Sequence, residues 1–265
     1  MARPTSLLVC LLLLGATGAL EGVPKILLGT GGGGGGFSAP LWLSAGGQGF
    51  NTALSYCYQQ FTPQCSHVAI ASALAAAGGG AANASFIATK VEPEDFGPTA
   101  LLTGPSRVLD RDVLAEMNLR SVGALMWHQA GRAAAAGNYR PPCFNASAAG
   151  PSGPGAYAAC RVQGYGAFLD AQRMGAIRYA GVSNYEIRDL QQLYDAFGVW
   201  PQVLEIEVHP YYHPDALIDF ACVALGGAQG AAHCAASRPS PRPTPASRLP
   251  YLPSPAQAFQ GHLHL

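Results

Sequence analysis

A phenol, an ammonium and an imidazole can each move or hold a proton beside a reacting oxygen, and this chain sets one of each at the end of an apolar run: Tyr56 in NTALSY, Lys90 in FIATKV and His128 in ALMWHQ. A tyrosine gives up its proton more readily beside a lysine, whose positive charge favours the phenolate. Such a group serves reactions in which negative charge develops on an oxygen and must be met by a proton or a fixed donor. Taken singly, each residue has a plainer role, the tyrosine as a rim residue, the lysine as a solvated strand end and the histidine as a structural group. Two further patterns are weaker. Gly29, Gly31 and Gly36 satisfy a dinucleotide-type glycine spacing after an apolar run, but the glycine run matches trivially, opens no helix and is followed by no acidic residue at the required distance. His209 and His213 are spaced like metal ligands, with His233 and Cys234 further on, yet Pro210 opposes a shared helix and no third ligand has fixed spacing. A loop rim without metal is the expectation there.

The elements that must position these residues alternate in type. Short apolar runs predict strands at 24–30, 48–52, 85–91, 122–128, 177–183 and 202–208. Between them, helical patterns occupy APLWLSAGG, His67 to Ala77, Arg107 to Leu119, an alanine-rich stretch through Phe168 and Met174, and the spacing of Ile187, Leu190, Leu193, Tyr194 and Phe197. An irregular insertion with PPC and PSGPG clusters falls at about 129–155. Alternation at this spacing argues for parallel strands with crossover helices, either a barrel or an open doubly wound sheet.

From Ile177 to Ala221 the chain reads IRYAGVSNYEIRDLQQLYDAFGVWPQVLEIEVHPYYHPDALIDFA. With GVSNY, a proline-led EIEVHPY strand and the LIDF helix in order, this block resembles the aldo-keto reductase family. The resemblance implies a (β/α)8 barrel of the TIM type, NADP(H) as cofactor, no metal, and reduction of a small-molecule aldehyde or ketone. It implies roles for Tyr56 as proton donor, for Lys90 as the charge that tunes it and for His128 as the group orienting the carbonyl, all at C-terminal strand ends, where barrels of this type place their sites. Three such residues at three successive strand ends, in family order, outweigh the plainer readings. Ser183 and Asn184 match the pair that holds the nicotinamide carboxamide. Two positions depart from the pattern. Asn51 stands where the family has an aspartate beside the lysine, so Lys90 is expected to be held loosely with a lowered pKa, and Asn51→Asp to raise turnover. Glu205 stands where a glutamine contacts the cofactor, and a carboxylate cannot donate there. The resemblance covers about residues 23–222, six of eight strands. An impaired or inactive member, or a truncated gene model of an active one, is the competing expectation.

Composition bounds the partners. With 15 basic and 15 acidic residues there is no electrostatic reason to expect nucleic acid. Residues 1–19 read as a signal peptide, with one early arginine, an apolar run from Leu7 to Leu14 and small residues before a cut. The run is too short to span a bilayer, so no membrane association is expected after cleavage, and the destination is the secretory route or, through a bipartite leader, a plastid. Removing Cys10 leaves an even number of cysteines, which fits an oxidising compartment, and Cys143 with Cys160 brackets the insertion as a possible staple. The sequons at Asn83 and Asn145 point the same way. Residues 223–265, rich in Pro, Ser and Arg, carry no apolar period and are expected to be disordered.

Overall fold

The computed structural model describes residues 11–13, 20, 22–31, 38–57, 65–92, 108–131, 143–145, 147, 154–209 and 211–222. The expected disordered tail, most of the insertion and most of the expected leader lie outside the described residues, as do Gly36, Pro210, His233 and Cys234.

Six strands run parallel: β2 (Leu28–Gly29), β3 (Gly49–Asn51), β4 (Phe86–Val91), β5 (Val122–Trp127), β6 (Ile177–Ser183) and β7 (Val203–Glu205). They curl into an incomplete (β/α)8 barrel, each expected strand being present, β6 over its full expected length and the others trimmed. An extra strand comes from within the expected leader: β1 (Leu11–Leu13) pairs antiparallel with β7, Leu11 opposite Glu205 and Leu13 opposite Val203. The sheet order is β1-β7-β6-β5-β4-β3-β2. Six of eight strands would leave two uncovered edges; the β7 edge is covered by β1.

Helices α1 (Ala39–Ser44), α2 (Ser66–Ala77), α3 (Ala81–Ala84), α4 (Ala158–Arg173), α5 (Ile187–Phe197) and α6 (Asp215–Phe220) alternate with the strands. The amphipathic stretch expected as an ordinary helix winds as a π-helix over Val108–Ala115, and still buries Leu109, Val113 and Leu114. α5 has the clearest sequence logic. Glu186 and Asp189 form a reciprocal capping box, Gly198 ends the helix in the left-handed region at φ 68°, and Leu190 and Leu193 are fully buried.

Because side chains alternate along a strand, two cores form. Ile87, Val91, Leu125, Trp127, Ala180, Val182 and Leu204 face the helices, where Trp127 stacks on Phe168 at 4.8 Å. Phe86, Ala88, Ala124, Met126, Tyr179 and Val203 fill the interior with Leu27. Gly123 is required under this inner layer, since a Cβ there would lie 2.5 Å from the Phe86 ring. The inner parity then continues to the C-terminal strand ends as Asn51, Lys90, Ser183 and Glu205, all buried.

Cys143 and Cys160 are bonded, tying the insertion to the first turn of α4 across 17 residues. A loop of that length contributes about 3 kcal/mol. Urea unfolding of the Cys143→Ser/Cys160→Ser chain should therefore show about that loss of stability relative to the oxidised protein, and an unchanged midpoint would show the staple to be energetically idle.

Candidate functional site

At the C-terminal ends of the strands, Lys90 is fully buried and holds three contacts. Its Nζ lies 3.0 Å from Glu205 Oε1, donates to the backbone oxygen of Thr52 at 3.2 Å and makes a short hydrogen bond to Asn51 Oδ1. Asn51 Nδ2 donates in turn to Glu205 Oε2 at 2.7 Å. A buried ammonium costs far more than it gains unless it is paired and hydrogen-bonded. Here the pairing wins: burial pulls the Lys90 pKa down, but Glu205 and then Tyr56 push it back, leaving it above the ordinary lysine value.

This corrects two expectations. Asn51 does not leave Lys90 loosely held with a lowered pKa, because a carboxylate reaches it from another strand. Glu205, expected at a cofactor-contact position, instead partners Lys90 and Asn51, its two oxygens facing them. The contact is long-range in the sheet. β3 and β7 are four strand spacings apart, about 19 Å if the sheet were flat. Only the curl brings Glu205 within 2.7 Å of Asn51.

Tyr56 sits on the 3₁₀ turn Leu54–Cys57 after β3, with its ring 5.8 Å from Lys90 Nζ and edge-on to His128 at 5.6 Å between centroids. Burial raises its pKa; Lys90 opposes that rise, while Glu205 and Glu92 add to it. Gly31 is needed beside this ring, since a Cβ there would lie 3.1 Å from it. That close approach gives the glycine a role unrelated to a phosphate loop.

His128 follows β5 and is nearly buried. Its Nδ1 makes a short contact with Glu92 Oε1 and lies 3.3 Å from Ser55 Oγ, while Nε2 is buried without a hydrogen-bond partner among the described residues. Burial would raise the Glu92 pKa, but His128, Ser55 and Lys90 together hold it below the usual carboxylate value. Sequence reasoning missed Glu92 and Ser55. The signal for Glu92 was its position two residues beyond Lys90, which places it on the same inner face.

Ser183 ends β6 and Asn184 follows it in the left-handed region at φ 57°. Asn184 Nδ2 donates to the His128 backbone oxygen at 2.8 Å and to Ser183 Oγ at 3.1 Å, and its backbone N–H donates to Glu205 O at 2.9 Å. The pair therefore ties three strand ends together, leaving the Ser183 hydroxyl hydrogen and Asn184 Oδ1 as bonding capacity for a ligand. Thus Asn51, Tyr56, Lys90, His128, Ser183, Asn184 and Glu205 are all gathered at one end of the barrel.

The histidines weighed as metal ligands are engaged separately, His209 with Glu207 at 2.8 Å and His213 with Asp215. Among the described residues Cys65, His67 and Glu116 bring ligand atoms within 4.8 Å of one another, but Cys65 is disulfide-bonded and His67 Nε2 lies 3.0 Å from Thr89 Oγ1. A sulfur in a disulfide is no thiolate ligand.

Known proteins agree with this architecture. Residues 41–226 match the model of the aldo/keto reductase family. A stretch of 52 residues, 20% of this chain and 19% of the relative, is 42% identical to 2,5-diketo-D-gluconic acid reductase B of Corynebacterium sp. (strain SHS752001). Among solved structures, an aldo/keto reductase from Brucella melitensis superposes with TM-score 0.55 at 20% identity, over 72% of this chain and 60% of that one. The Bombyx mori aldo-keto reductase, solved in complex with NADP, gives 0.56 at 20% identity over 77% and 60%. The aldose reductase from Schistosoma japonicum gives 0.55 at 18% identity over 75% and 62%. The chain thus spans about three-fifths of the length of these solved structures. With a family match over most of its length, the same parallel half-barrel and no more than a trimmed set of strands, the chain belongs to the aldo/keto reductase family.

Proposed function

We propose that the protein reduces an aldehyde or ketone to an alcohol with NAD(P)H, Tyr56 giving the proton to the carbonyl oxygen. The observation that carries this is the convergence of Tyr56, a charged Lys90 and a His128 whose buried Nε2 has no partner at one end of the barrel. NADPH, when bound, supplies the hydride to the carbonyl carbon. The chain's own residues do the rest. Lys90, held as an ammonium, opposes the burial that makes Tyr56 a poor acid. His128 holds the oxygen on which charge develops. Ser183 and Asn184 fit a carboxamide with one remaining donor and one acceptor; Glu205 does not fit as a cofactor contact, because both its oxygens are committed to Lys90 and Asn51.

The two departures from the family pattern therefore act as one exchange. The carboxylate that the family places on the β3 side is supplied here from β7, and the neutral amide has taken the other seat. That reverses the expectation for a single substitution at position 51. Asn51→Asp replaces the Nδ2 donor with an oxygen facing Glu205 Oε2, setting two carboxylates against each other, and should lower turnover rather than raise it.

A second reading, a family member that keeps the half-barrel but has lost turnover, is favoured by the loss of Glu205 as a cofactor contact. The secretory destination remains part of the proposal and is supported by the Cys143 to Cys160 bond, which fits an oxidising compartment.

Two experiments separate these ideas. Glu205→Gln strands a buried ammonium and should destabilise the fold by about 3–5 kcal/mol in denaturant unfolding. Adding Asn51→Asp to it should restore most of that loss, and a double variant no more stable than the single would refute the exchange. For the activity, NADPH oxidation is followed with a panel of small aldehydes; Tyr56→Phe should lower kcat by about 10²–10⁴-fold. No turnover by the unsubstituted protein, with no NADPH binding by titration calorimetry, would favour the inactive member.

A further inference from the structure

Reduction as described leaves one group without a task. Glu92, just past the end of β4, sets a carboxylate oxygen against His128 Nδ1, on the side of the ring away from the unpartnered Nε2. An ionised carboxylate only accepts hydrogen bonds, so Nδ1 must carry a proton to meet it. An imidazole protonated at Nδ1 has a bare lone pair at Nε2 when neutral, and an Nε2–H only when it is charged.

We propose that Glu92 is a positioning residue that fixes this tautomer, so that His128 donates to a carbonyl oxygen only as imidazolium and, when neutral, accepts from the hydroxyl of an alcohol. The proposal rests on the carbonyl reductase reading and adds to it a pH gate. In reduction the hydride that NADPH would supply, leaving NADP⁺, bonds to carbon as the C=O π pair passes to oxygen; Tyr56 protonates that oxygen and is left as phenolate beside Lys90, and Nε2–H stays on His128 as a charged donor. With the ring neutral, the lone pair on Nε2 faces the carbonyl lone pairs and the step is opposed. Among the described residues, these groups surround the ring. Glu92 comes from β4 and Ser55 and Tyr56 from the turn after β3. Lys90 stands behind Tyr56, with Glu205 from β7 on its ammonium. Asn184, after β6, touches only the His128 backbone oxygen among the contacts to that residue.

Glu92→Gln tests the gate. Its amide can donate to Nδ1, as can the Ser55 hydroxyl at 3.3 Å, which moves the single proton of the neutral ring to Nε2. Measured between about pH 5 and 9, kcat/KM for NADPH-dependent aldehyde reduction should fall with rising pH in the wild type and hold in the variant. The ratio of variant to wild type should then rise with pH. Parallel profiles overturn the proposal. Nitrogen NMR on the ¹⁵N-histidine-labelled wild-type chain reads the tautomer without any turnover: a neutral His128 protonated on Nδ1 supports the proposal, and one protonated on Nε2 overturns it. Absence of activity at every pH would sink the reductase reading alone, and the NMR result would still decide the tautomer.

Discussion

A lysine with no exposed surface can stay charged only with a carboxylate beside it, and much of this site follows from how that demand is met. Lys90 points into the barrel because the alternation of β4 puts it on the same face as Phe86 and Ala88. Its carboxylate comes from β7 and is steadied by an amide from β3. Ion pairing across the interior therefore spans three of the sheet's strand spacings, the amide contact spans four, and both are possible only in a curled sheet. Electrostatics and curvature are the same requirement seen from two sides. A flat sheet would strand the ammonium, and an apolar residue at position 90 would remove one reason for the curl.

The remaining groups are arranged about that charge. Tyr56 stands over it, near enough for Lys90 to oppose the effect of burial on the phenol. His128 stands edge-on to Tyr56, and its ring is held by Glu92 while its backbone oxygen is held by Asn184. Asn184 adopts a left-handed backbone, a conformation that asparagine tolerates better than most residues, to reach the ends of three strands at once. The fold supplies rigid strand ends, and short polar side chains lace them together. Such preorganisation is what lets a polar group act on developing charge without first having to move.

Much of this was legible in the sequence. Strand positions followed from β-branched runs and α5 from its apolar spacing and glycine stop, because those signals are local and the burial they encode is on one face. Tyr56, Lys90, His128, Ser183 and Asn184 were legible through their order along the chain. What was not legible was pairing across the barrel. Asn51 and Glu205 are 154 residues apart, and each looked like a separate loss when read in its own strand. Glu92 was hidden for the opposite reason: its spacing from Lys90 puts it on the inner face, but a charged residue past a strand end is ordinarily solvated, and nothing local records that His128, just after β5, lies beside it. The strand made by Leu11–Leu13 was also illegible, since an apolar run near a start reads as a leader and nothing local records which edge it meets.

That strand bears on how durable the site is. β7 contributes three residues to the sheet, and its last one carries the carboxylate on which the charge of Lys90 depends. It is held by β6 on one side and, on the other, by the three residues of β1. Short strands at the margin of a sheet are where local opening is easiest, with free energies well below that of global unfolding. A charge pair with no exposed side-chain surface thus hangs on a three-residue strand whose only cover on one side is the marginal β1. When β1 departs, β7 becomes a margin, and transient fraying there exposes Lys90 to a neutral, unpaired alternative long before the rest of the barrel yields.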